Sequence, residues 1–232
     1  MHFTTLINFF KDGGFFLYPL ALILVVGVSI AIERYVFLTR ETIRNRELWD
    51  RLVPALSAGN FKQVVGLTQN SKASIATILN YGVARVASAR RRDDIEKAMD
   101  ESLLEVIPRI EKRTHYLSSL ANVGLLIGLL GTITGLIGAF SAVATANPAE
   151  KASLLASAIS VAMNNTASGL AVAITLLLSH MFLESKSTSL IDSLEIASVK
   201  FLNSITERQH EPATASPPAA SPRAPAAARG TI

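Results

Sequence analysis

Thr132, Asn164, Asn165 and Thr166 stand inside long stretches that carry no charged residue. Hydroxyl and carboxamide groups donate and accept hydrogen bonds without titrating near neutral pH. The chemistry open to them is coordination of an ion or water, or hydrogen bonding of one helix to another. Around them Ser157, Ser160, Asn164, Ser168, Thr175 and Ser179 recur at intervals of three, four or seven residues, and Asn165 and Thr166 broaden the strip. Polar groups in hydrocarbon are costly unless satisfied, so this strip is expected to face protein or a water-filled path. Interhelical hydrogen-bonding glue is the structural alternative. Between Tyr116 and Leu183 the only acidic residue is Glu150 and the only histidine is His180. A proton relay through a membrane needs a group that can be loaded and unloaded. If protons cross here, the titrating carboxylate must come from another polypeptide.

Other chemistries find no residues to carry them. The chain has no cysteine, hence no thiolate nucleophile, disulfide or Cys-ligated metal. His2, His115, His180 and His210 are dispersed without ligand spacing. A phosphate-cradling Gly-rich loop ending in Lys-Ser/Thr is missing, as is a Ser-His-Asp arrangement. The expectation is a non-enzyme with no cofactor and no metal.

The elements that hold these residues are membrane helices. Only 17% of the 232 residues are charged and the mean hydropathy is +0.37, against about 25% charged in an ordinary soluble domain. The missing charge is concentrated at positions 13–32, 116–149 and 152–183, which contain no Asp, Glu, Lys or Arg. Each run reaches the roughly 20 residues needed to cross a hydrocarbon core. The first lacks the basic start and short apolar centre of a cleaved leader and reads as a retained helix. Positions 33–115 hold 15 Lys/Arg against 11 Asp/Glu, which by the positive-inside rule places them in the cytoplasm. The net charge of +4 is thus read as membrane orientation and not as nucleic-acid binding.

The chain is therefore expected to be all-α, an integral membrane protein with three transmembrane helices, N-terminus out and C-terminus in. Its segments are a periplasmic N-terminal stretch (1–14), a first transmembrane helix (15–37), a cytoplasmic helical domain (38–115), a second transmembrane helix (116–146), a periplasmic turn (147–151), a third transmembrane helix (152–183), a cytoplasmic helix (184–210) and a disordered Pro/Ala-rich tail (211–232). The second and third runs exceed what a bilayer needs, which tilt alone or helices projecting into the cytoplasmic domain would accommodate; 93–113 and 184–208 read as helix continuing past the membrane. Within 33–115, breaks are expected at Pro54, Gly59, Gly66 and Gly82, and Asp93 with Glu96 reads as a capping box. Ile95, Met99, Leu103, Val106, Ile107 and Ile110 form one apolar stripe, the buried face of a small bundle. Arg90–Arg92 read as a solvated turn or an anionic-lipid contact.

Gly124, Gly128, Gly131, Gly135, Gly138 and Ala142 follow intervals of four and three, so all share one helix face. Such a seam of small residues marks a packing surface in lipid, either within one chain or also against neighbouring subunits. Thr132 lies 16 residues after Tyr116 and Thr166 lies 17 before Leu183. Both are about 25 Å along their helices from the same side at ~1.5 Å per residue, a depth at which two hydroxyls could line one path.

The segments LIGLLGTITGLIGAF at 126–140 and AISVAMNNTASGLAVAI at 158–174, with this order of elements, resemble the MotA/TolQ/ExbB proton-channel family, nearest its ExbB and TolQ branch. The resemblance covers about 200 residues and stops at the tail. It implies a homo-oligomer, a pentamer, around the transmembrane helices of a dimeric ExbD- or TolR-like partner that supplies an intramembrane Asp. It assigns Thr132 and Thr166 to the ion path, and implies a bacterial inner-membrane motor, among membrane lipids, that converts ion-motive force into work on a periplasmic or outer-membrane system for transport, envelope maintenance or motility. Many ExbB and TolQ sequences place a Glu near the start of the third-span motif, in a pattern like I-S-E-A. Val161 stands in its place here, where Asn164 and Asn165 could hold water or hydrogen bonds but no proton. A passive oligomeric scaffold and a self-contained pore are the alternatives.

Overall fold

The computed structural model describes residues 14–86 and 91–209. The tail, most of the N-terminal stretch and Arg90 lie outside the described residues. Six helices follow in order: α1 Leu17–Ala58, α2 Phe61–Gln69, α3 Ser74–Val86, α4 Arg92–Glu111, α5 Thr114–Thr145 and α6 Lys151–Gln209. The described part is all-helical, and three helical stretches are long and apolar enough to cross a membrane: α1, α4 running into α5, and α6. At ~1.5 Å per residue the 59 residues of α6 extend for roughly 90 Å, well beyond a bilayer. Their charge-free parts carry large exposed apolar side chains such as Leu22, Ile137, Phe140, Leu178 and Phe182, as a surface meeting lipid or neighbouring subunits would.

Long helices persist where the sequence predicts breaks. Pro54 lies within α1, Gly66 within α2 and Gly82 within α3. Only Gly59 ends a helix. It takes the left-handed conformation at φ 70° that glycine adopts without a Cβ clash, and its N–H bonds the Leu56 carbonyl at 3.0 Å. Asn60 then starts α2, its side-chain oxygen accepting from the Gln63 N–H at 3.2 Å. Pro54 removes the N–H that would bond the Asp50 carbonyl, yet the chain stays helical for four more residues to Ala58.

The sequence reads 93–113 as helix continuing the second span past the membrane. Instead α4 closes at Glu111, with the Lys112 N–H on the Pro108 carbonyl at 3.0 Å, and Arg113 turns the chain at φ 69° before α5 begins. Nor does Asp93 cap α4: the N-cap is Arg91, without a side-chain bond, and Asp93 and Asp94 occupy the first turn. There the carboxylates still complement the helix dipole.

The polar end of the molecule is a bundle of α2, α3 and α4 against the distal halves of α1 and α6. Ile95, Met99, Val106 and Ile110 are buried in it, with Leu103 and Ile107 packed at its edge, so the stripe forms a core face. Leu52, Ile78, Leu79, Leu194 and Phe201 complete that core. Arg34 of α1 is 3% exposed, and its Nη2 donates to the Ile110 carbonyl, which also accepts from Ser187 Oγ of α6 at 3.4 Å. Three helices are thereby tied at one carbonyl. At the opposite end, α5 and α6 join through residues 146–150, closed by the Glu150 N–H on the Asn147 carbonyl at 3.0 Å.

Candidate functional site

The α5–α6 hairpin is the most extensive helix pairing of the chain, and its glycines show why. A Cβ at Gly128 would stand 2.9 Å from the Gly169 Cα and 3.1 Å from the Asn165 carbonyl oxygen, so the two backbones touch. Further along the seam Gly131 faces Asn165, Gly135 faces Ala162, and Gly124 faces Val172. Gly138 has nothing within 4 Å and Ala142 is exposed; Ala139 is buried in their place. The seam is thus intramolecular from Gly124 to Gly135 and leaves the helix face of Gly138.

Close backbone approach brings the two threonines together. Thr132 Oγ1 and Thr166 Oγ1 hydrogen-bond one another. Thr132 also reaches the carbonyls of Gly128 at 3.2 Å and Ala162 at 3.4 Å, and Thr166 that of Gly128 at 3.4 Å. Both side chains are half-buried, so the pair lies at an edge of the seam.

Asn164 and Asn165 part company, as neighbours about 100° apart on a helix must. Asn165 is 3% exposed and packs on Gly131; its Oδ1 is buried without a hydrogen-bond partner. Asn164 is half-buried, and its carbonyl accepts from Ser168 Oγ at 2.7 Å. It belongs to the strip of Ser157, Ser160, Ser168, Thr175 and Ser179. The sequence predicts that this strip faces protein or water-filled space, and Ser157, Ser160 and Thr175 are exposed on the single chain. Ser168, Thr175 and Ser179 satisfy their hydroxyls on carbonyls four residues back in α6. Val161 is half-buried beside the start of α1, where a Cβ at Gly14 would stand 3.7 Å from its Cγ1.

The model of the MotA/TolQ/ExbB proton channel family matches residues 70–196, more than half of the chain, with all of α5 and α6 as far as Ile196. The chain belongs to that family. Among similar proteins is an ExbB homolog of Methanothermobacter thermautotrophicus described as a putative biopolymer transport protein, 26% identical over 200 residues covering 84% of this chain and 68% of the relative. An ExbB-like protein of Synechocystis is 27% identical, over 73% of this chain and 81% of its own. The biopolymer transport protein exbB1 of Vibrio cholerae is 29% identical, over 69% and 71%. The likeness is to the ExbB side of the MotA/TolQ/ExbB family, and the chain is a transmembrane protein of that proton-channel type.

Several contacts in this MotA/TolQ/ExbB chain escape a reading of its sequence. That of Gly169 with Gly128 is one of them; the spacing of Ala162, Gly169 and Ala173 on α6 is the signal that could have found it. His115 and His180, dispersed in sequence, bring their rings to 6.4 Å, with Glu184 3.4 Å from His180 Nδ1. Two helices must pair before that contact exists, so no local pattern announces it. The described residues contain no group of three or more His, Asp or Glu able to hold a metal.

Proposed function

We propose that this chain is the ion-conducting shell of an inner-membrane motor. Five copies surround the transmembrane helices of an ExbD/TolR-like partner dimer, and ion-motive force is converted into mechanical work without covalent catalysis. The Thr132–Thr166 pair carries this reading. Two hydroxyls that cannot titrate sit together at the edge of a tight helix seam, midway along two charge-free stretches. They can pass hydrogen bonds to a carboxylate brought beside them but cannot themselves load a proton. The partner's intramembrane Asp supplies that group. The excess of Lys and Arg in 33–115 supports an arrangement with the bundle in a bacterial cytoplasm and the 146–150 turn in the periplasm.

The mutual hydrogen bond between the threonines also favours a second reading, in which they join two helices of a passive scaffold. Thr132→Val and Thr166→Val separate the two. In a motor, the complex with its partner assembles and loses ion flux in vesicles under an imposed gradient. In a scaffold, flux or its absence is unchanged by the substitutions, or assembly itself is lost.

A further inference from the structure

A cleft of about 440 Å³ opens where α1, α3 and α4 meet the α4–α5 joint. Six cationic side chains line it: Arg34, Arg44, Lys72, Arg109, Lys112 and Arg113. Against them stand only Glu33 and Glu41, and both carboxylates are engaged. Glu33 holds Arg113 at 2.8 Å. Glu41 accepts from the Ser74 N–H at 2.7 Å and the Ser74 hydroxyl at 2.6 Å, which fixes it at the start of α3. Among the described residues, no carboxylate comes within ion-pair distance of the other five cations.

Arg34 is the sharpest element of the cleft. Its side chain is buried, one nitrogen is on the Ile110 carbonyl, and Nε has no hydrogen-bond partner. The Arg34 guanidinium lies 4.7 Å from the Phe37 ring centroid and near Glu33, whose ion pair goes to Arg113. A buried guanidinium with an unused N–H and no direct ion pair is costly unless an anion completes it, and guanidinium suits phosphate oxygens. Phe37, Val106 and Ile110 give the same cleft an apolar wall. Its place along the chain is equally specific. Arg34 follows the first charge-free run, which ends at Ile32, by two residues, and Arg113 precedes Tyr116, where the second begins. The cleft therefore sits at the edge of the apolar zone, the depth of a lipid headgroup. Basic pockets between membrane helices on the cytoplasmic side bind anionic headgroups.

We propose that this cleft binds a phosphate-bearing anion, with Arg34 at its base and Arg44, Arg109 and Lys112 at its mouth. The inference rests on the membrane placement above but not on ion flux. The test uses the full chain in phosphatidylcholine nanodiscs doped with phosphatidylglycerol, with the phosphatidylglycerol retained per subunit counted by native mass spectrometry. Preferential retention is expected, falling about fivefold for each cation neutralised in Arg44→Gln and Lys112→Gln and falling again as salt is raised. A parallel arm adds inorganic phosphate: displacement of the lipid by phosphate assigns the site to a free phosphate, and resistance to it assigns the site to the lipid headgroup. Retention that is equal for both lipids, or unchanged by both variants and by salt, overturns the proposal. So does a change of oligomeric mass in the variants with lipid retention unaltered, which would mark these cations as contacts for a neighbouring copy's carboxylates. Because lipid retention is read without any gradient, its failure is distinct from failure of the motor reading.

Discussion

Gly128 of α5 and Gly169 of α6 meet backbone to backbone, and one turn further on Thr132 and Thr166 share a hydrogen bond. The first contact sets the distance that the second requires. Helices in lipid have no water to escape from and associate through such close packing, so the absence of two side chains brings two hydroxyls into reach of each other.

A methyl group at Gly128 or Gly169 meets main-chain atoms that cannot turn aside. Gly128→Ala and Gly169→Ala are expected to cost about 1–3 kcal/mol each as overpacked sites, seen as a lower melting temperature in detergent. Gly138→Ala, with open space around it, is expected to leave the melting of the isolated chain unchanged. Equal loss for all three would refute the intramolecular seam.

That seam was partly legible in the sequence. Small residues at intervals of three and four announced it, but 3.6 residues per turn do not divide into such a series, and the contact drifts from Gly135 to Ala139 and not to Gly138. The apolar stripe of α4 was legible for the same periodic reason. Arg34 was not, because a cation beside an apolar run reads as a marker of orientation and its burial depends on α4 and α6 folding over it. The His115–His180 approach was invisible because it joins two helices 65 positions apart. Gly66 and Gly82 looked like breaks, yet tertiary packing holds both in helices, as weak local preferences allow.

Gly66 offers a stabilising change. It lies inside α2 with ordinary helical φ, and a Cβ added there would meet nothing within 4 Å. Gly66→Ala is expected to raise stability by about 0.5–1 kcal/mol through reduced freedom of the unfolded chain, measured by thermal or denaturant unfolding in detergent.

Arg113 combines a left-handed backbone with an exposed ion pair to Glu33, each side chain 48% exposed. The backbone costs roughly 1–2 kcal/mol in a non-glycine residue, whereas an exposed pair returns at most about 1 kcal/mol. Arg113→Gly is therefore expected to melt at or slightly above the parent, and Arg113→Ala below Arg113→Gly. An order of melting temperatures with Arg113→Ala above Arg113→Gly would contradict this.

Glu41 caps α3 from another helix through Ser74. Glu41→Ala leaves that N–H unpartnered and is expected to cost about 0.5–2 kcal/mol, with faster proteolysis between α2 and α3. Glu41→Gln retains an acceptor and is expected to lose less.

The central claim is that the paired hydroxyls serve an ion path completed by a partner's carboxylate. The most direct measurement is ion flux in vesicles holding the co-purified complex under an imposed gradient, for the parent, Thr132→Val, Thr166→Val and the corresponding Ser variants, with native mass spectrometry of each. The account predicts a five-to-two complex throughout, flux lost by at least roughly tenfold in the Val variants and restored in the Ser variants, in line with a hydrogen bond to a charged group worth about 1.5–3 kcal/mol. Undiminished flux in both Val variants, with the complex intact, would contradict it.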